Sequence, residues 1–142
     1  MFLLGDIETR TFGDLSLVKD TLYPLITSHA PHWVRRIRIT AMETEHSDGR
    51  YADLEPYYQY RSCVLTIYPS FLTLDDREQA RVILHEIAHI LQAPVFCAIE
   101  RVKAYLGEDF KDFIEALFDP AMEASAEDTA QVILRQYSND EE

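Results

Sequence analysis

The stretch Val82-Ile83-Leu84-His85-Glu86-Ile87-Ala88-His89-Ile90-Leu91 is apolar except for three ionisable side chains at its centre. A helix turns about 100° per residue, so on a helix His85 and His89 stand roughly 40° apart, one turn along the same face. Two imidazoles so placed can converge on one ion, because Zn–N distances of about 2.0 to 2.1 Å suit that spacing. Glu86 is rotated away from the pair, able to hold a metal-bound water and poorly placed to be a ligand. The residues Val82, Ile83, Leu84, Ile87, Ala88, Ile90 and Leu91 leave this helix almost no polar side, which predicts burial nearly all round. Charged groups inside such a helix need partners, and a divalent ion with its water would satisfy all three at once. The competing reading is a chance His-Glu-x-x-His whose histidines bond backbone carbonyls within a core.

Working outward, Thr73 or Asp75 can cap this helix, with Asp76 or Glu78 as the carboxylate of a capping box, and Pro94 predicts its end near Gln92. Upstream, Tyr60 to Tyr68 reads as a strand with apolar residues on both faces, and Trp33 to Met42 as another, closed by the turn Ser47-Asp48-Gly49. Leu15, Leu17, Val18, Leu22, Leu25 and Ile26 predict a helix capped by Asp14 and reaching about Ser28, with Pro24 kinking or dividing it. Downstream, helices fit Val95 to Leu106 and Asp109 to Phe118. Asp119-Pro120 then restarts the chain as N-cap and first residue of a last helix to about Tyr137. Residues 138–142 read as an acidic, disordered tail.

The 142 residues are 47% hydrophobic and 27% charged, which suits a single globular domain over residues 1–137 and excludes collagen, coiled-coil and disulfide-scaffold compositions. With 13 Lys+Arg against 25 Asp+Glu, the net charge is −12. Residues 1–40 hold five basic and four acidic side chains, leaving −13 on the remainder, which argues against nucleic-acid binding there. Arg35, Arg36 and Arg38 alternate with Ile37 and Ile39 as the solvated face of a strand would. No stretch reaches the roughly 18 uninterrupted apolar residues of a membrane span, and the N-terminus lacks the pattern of a secretory signal. A cytoplasmic protein is expected, with Cys63 and Cys97 as reduced thiols.

His85, Glu86 and His89 make the chain resemble the zincin metallopeptidases, and the resemblance implies Zn2+ on the two histidines with Glu86 as general base. No histidine follows His89, and Gln92 and Val95 stand where metzincins carry further motif residues, so that branch is excluded. Glu123-Ala124-Ser125-Ala126-Glu127, with Ala130, Ile133 and Leu134, is similar instead to the gluzincin pattern of small bacterial and phage metallopeptidases of the ImmA/IrrE type. That likeness implies Glu123 as third ligand and Glu127 as the acid supporting a ligand histidine. Because the family's usual Asp or Asn is here Glu127, the reversed assignment stays open. The implied fold is α+β: a minimal zincin-like domain with an N-terminal helix, a small mostly antiparallel sheet, the active-site helix and C-terminal helices. In zincins the strand ahead of that helix is the sheet edge that binds an extended peptide, although Arg61 to Tyr68 fits an internal strand equally well.

The expected function is zinc-dependent hydrolysis of a peptide or protein substrate, through a zinc-activated water with Glu86 taking its proton. The alternative is a zincin-fold protein, of phage or mobile-element origin, whose zinc is structural or regulatory and which acts by binding partners. His29, His32 and His46 read as surface or satisfied histidines, and Trp33 as a core anchor. Tyr57, Tyr58, Tyr60, Tyr105 and Tyr137 could each supply an oxyanion donor, and no spacing selects among them.

Overall fold

The computed structural model describes residues 8–12, 19–31 and 33–140, with side chains described for residue 22 and from 24 onward except residues 32, 58 and 137–140. Within these the order is β1 (Glu8–Phe12), α1 (Lys19–His29), β2 (Arg36–Ala41), β3 (Ala52–Tyr57), β4 (Ser62–Ile67), α2 (Asp76–Ala104) and α3 (Glu108–Asp140). Short 3-10 turns at Tyr58–Tyr60 and Pro69–Thr73 flank β4.

The α+β class matches the sequence reading, but the sheet is mixed rather than mostly antiparallel. Its order is β1-β2-β4-β3, in which β1 pairs with β2 and β2 with β4 in parallel, and only β3 and β4 are antiparallel. Parallel neighbours need a crossover, and α1 supplies the one between β1 and β2. β1 and β3 were not foreseen as strands, and the two foreseen strands are shorter than read. β4 lies inside the sheet, so the edge beside α2 belongs to β3. The turn after β2 is present, with Gly49 at φ +81 donating its N–H to the His46 carbonyl at 3.0 Å.

Burial on β2 and β4 alternates with the pleat. Ile37, Ile39, Cys63, Leu65 and Ile67 are buried, whereas Arg36 and Arg38 are exposed on the opposite face, as the alternation predicted. The apolar face meets Leu22, Leu25 and Ile26 of α1 and Val82, Ile83, Leu84, Ile87 and Ile90 of α2. Trp33 packs against this core from its margin. By length and composition α2 is apolar enough to cross a membrane, but here its first half is a core element. Cys63, buried in β4, and half-buried Cys97 are both free thiols, and burial pushes the Cys63 thiol up to about 12.

Asp75 caps α2, its carboxylate accepting the Glu78 N–H at 2.8 Å. Helix α2 then continues through Pro94 to Ala104, one element where two helices were read, and α3 likewise runs unbroken through Pro120. Both prolines are solvent-exposed, so each ring lies on an outer face and the missing hydrogen bond is not buried. Pro24 also lies inside a single helix, and the Asp14 cap proposed for that helix falls outside the described residues. At its far end α3 extends through Asp140, into the stretch read as a tail. Leu84, the residue before His85, is 0% exposed. Leu84→Ala is expected to cost about 2 to 5 kcal/mol in urea unfolding, and a loss below about 1 kcal/mol would contradict its place in the core.

Candidate metal centre

α2 and α3 face each other through two polar rows. Arg81, His85 and His89 repeat every fourth residue on α2, and Glu123, Glu127 and Gln131 do so on α3. These two helices pair more extensively than any other two described elements, which brings the rows into register. His85 Nε2 lies 3.1 Å from Glu123 Oε2, His89 Nε2 lies 3.2 Å from Glu123 Oε1, and the two Nε2 atoms are 3.2 Å apart.

The other ring nitrogens have partners of their own. His85 Nδ1 is 2.8 Å from Glu127 Oε2, and an ionised carboxylate only accepts, so Nδ1 carries the proton. His89 Nδ1 is 3.0 Å from Gln92 Oε1. The Gln92 amide nitrogen donates to the Met122 carbonyl at 3.0 Å, which turns its oxygen toward His89 and again places the imidazole proton on Nδ1. His85 Nε2 and His89 Nε2 therefore face each other and the Glu123 carboxylate at short range. A cation at their centre could be bound by both ring nitrogens and the carboxylate at once. Burial holds the His89 pKa below its ordinary value, which favours the neutral ring.

The spacing suits the same occupant. In a tetrahedral site with bonds of 2.0 to 2.1 Å, neighbouring ligand atoms are about 3.3 Å apart, close to the three separations here. His85, His89 and Glu123 can thus hold a metal ion, as the sequence-derived ligand set requires. Glu127 meets His85 at the opposite ring nitrogen, and its own oxygens are engaged by Arg81 at 3.3 Å and Gln131 at 3.1 Å. Burial acts to raise the Glu127 pKa, but the Gln131 and His85 hydrogen bonds and the Arg81 charge together hold it below the usual range.

Glu86 points away from this cluster toward β3. Its half-buried carboxylate accepts the Leu54 backbone N–H, and burial foremost, with the charges of Asp53 and Glu123, pushes its pKa up to about 8. The Leu54 N–H is free to do this because of register. The Tyr68 N–H donates to the Tyr51 carbonyl, so Asp53, Glu55 and Tyr57 bond to β4 while Ala52, Leu54 and Pro56 turn their backbone polar groups to the open edge. Pro56, which has no N–H, occupies one of those edge positions.

Between this edge and the two helices lies an open cleft of about 830 Å3, lined by His85, Glu86, His89 and Glu123 together with Tyr51, Leu54 and Phe96. Arg50 also lines it, bridging Asp48 and Asp53, and Asp53 accepts the Tyr68 hydroxyl at 2.7 Å. The other sequence candidates stay away from the cluster. His46 pairs with Asp48 at 2.6 Å, His29 is half-buried in α1, and His32 lies outside the described residues. Tyr57, Tyr60 and Tyr105 do not line the cleft, whereas Tyr51 does, and the side chains of Tyr58 and Tyr137 are outside the described part. Arg81, Gln92 and Gln131 escaped the sequence reading, although the four-residue repeats through His85 and Glu127 would have marked two of them. A scan against protein-family models and searches of curated proteins and solved structures find no match to this chain.

In the metal-free protein Glu86 binds its proton more tightly when folded, at about 8, than at its ordinary value of 4.5. Its contribution to stability is therefore fully present below about pH 4.5 and is lost as pH rises through about 8. His89 acts in the opposite sense below its ordinary value of 6.5, so the comparison with Glu86→Gln isolates the carboxylate. Urea unfolding between about pH 5 and 8 should show wild type losing a few kcal/mol relative to Glu86→Gln, each pKa unit being worth about 1.4 kcal/mol. A constant difference across that range would exclude the shift.

Proposed function

We propose that this chain is a zinc-dependent peptidase of the zincin type, similar to the gluzincins, in which His85, His89 and Glu123 hold the metal and Glu86 is the general base. The observation that carries the reading is the convergence of two Nε2 atoms and one carboxylate at metal-ligand spacing, beside a separate carboxylate facing an open cleft. A bound zinc ion would acidify a water and polarise the substrate carbonyl. Soft thiolates are missing from the donor set, and two imidazoles with one carboxylate suit zinc with an open fourth position.

The chain's own groups divide the remaining work. Glu86, rotated away from the ligands, accepts a proton from the attacking water and returns it to the leaving amine. The open backbone positions at Ala52, Leu54 and Pro56 suit an extended peptide laid along β3, which adds a strand to the sheet and brings a carbonyl toward the histidines. The edge role thus passes from the strand read at Arg61 to Tyr68 to the strand before it. Glu127 and Gln92 hold the two imidazoles in the tautomer that leaves Nε2 as donor.

Metal analysis of the purified protein is expected to give one zinc per chain, and His85→Ala or His89→Ala should remove it. Glu123→Ala should weaken zinc binding more than Glu127→Ala, and the opposite order would exchange their roles. In a peptide-library screen Glu86→Gln should retain zinc and fold while losing about 10² to 10⁴ in cleavage rate. If wild type cleaves nothing and Glu86→Gln keeps every cellular phenotype, the zinc serves a scaffold that acts through binding partners.

A further inference from the structure

We propose that Arg81 is a positioning residue of this centre, acting through Glu127 to set the His85 imidazole; the inference rests on the reading of His85, His89 and Glu123 as a metal site. Arg81 stands one turn before His85 on α2, and its guanidinium has carboxylates on both sides. Nε donates to Glu78 Oε2 at 2.9 Å, from one turn upstream, and the terminal nitrogen NH1 lies 3.3 Å from each oxygen of Glu127 across the helix pair. Glu78 stops the guanidinium from swinging away and so holds NH1 between the two oxygens of the Glu127 carboxylate.

That placement matters because Glu127 holds His85 through one oxygen. Oε2 meets His85 Nδ1 at 2.8 Å, while Gln131 reaches only Oε1, at 3.1 Å. With Gln131 alone, the carboxylate can rotate about its terminal bond and carry Oε2 away from the imidazole. Arg81 contacts both oxygens and opposes that rotation. The order Glu78, Arg81, Glu127, His85 is therefore a chain of hydrogen bonds that ends on a ligand atom's ring without Arg81 touching the metal position. Arg81 is half-buried, with 27% of its side chain exposed, so water competes for these contacts only in part.

The test combines metal affinity with the state of the His85 ring. Zinc competition against a chromogenic chelator is expected to show Arg81→Met binding about 10-fold more weakly than wild type, at the low end of the roughly 10- to 100-fold loss typical of groups that support a ligand. Arg81→Lys should recover part of the loss, because an ammonium still attracts Glu127 but has no second nitrogen by which Glu78 can fix its position. Adding Arg81→Met to Glu127→Ala should weaken binding no further than Glu127→Ala alone. In zinc-free protein, imidazole 15N shifts should report His85 protonated at Nδ1 in wild type and a tautomer mixture in Arg81→Met and, to a lesser degree, Arg81→Lys. Unchanged zinc affinity in Arg81→Met, or additive losses in the double variant, would overturn the role of Arg81. If wild type itself takes up no zinc, the metal reading fails instead, and the zinc-free 15N shifts alone decide: an unchanged His85 tautomer overturns the proposal.

Discussion

The first half of α2 is buried on nearly every side and yet carries His85, Glu86 and His89, so each of these groups must find a polar partner on a neighbouring element. The rest of the structure follows from how that requirement is met. α3 brings Glu123 and Glu127 to the histidines, and β3 turns the Leu54 N–H toward Glu86. A helix with an apolar face alone could pack on the sheet in several rotations. One with two imidazoles and a carboxylate at fixed angles can satisfy all of them in very few, and the pairing of α2 with α3 is the one observed.

The sheet serves the site by what it leaves open. Because β1-α1-β2 forms a parallel crossover and β4 inserts beside β2, the last strand to be placed, β3, becomes the edge next to α2. Its register alternates polar groups between β4 and the cleft, so one edge N–H is available to Glu86 and the remaining edge groups stay unpaired with β4. Beyond Gln92 the two helices lose contact with the core and expose Val95, Val102, Phe110 and Phe113, so their pairing there relies on contacts such as Lys103 with Glu115 at 2.6 Å. The half that carries His85, His89 and Glu123 is the packed half.

Much of the site was legible in the chain itself. His85, Glu86 and His89 follow from helical angles alone, since residues four apart share a face and a residue one apart does not. The Asp75 cap was likewise readable as a local pattern, whereas the Glu123/Glu127 pair came only through the likeness to the gluzincin pattern. Gln92 was not readable, because its Met122 contact lies 30 positions away, and the spacing of Arg81 from His85 does not reveal its partner Glu127, 46 positions on. Pro94 and Pro120 misled for the converse reason: a local rule against proline in helices yields when the ring lies on an exposed face of a helix held by long-range packing.

By itself the sequence determined the helical turn that pairs His85 with His89, the separation of Glu86 from them, the capped start of α2 and the α+β class, because all depend on interactions within a few residues. Only the tertiary structure decided the direction of the strands, which of them is the edge, and which glutamate faces which nitrogen. Those outcomes depend on crossover geometry and on the relative rotation of α2 and α3, quantities set by the packing of elements far apart in the chain.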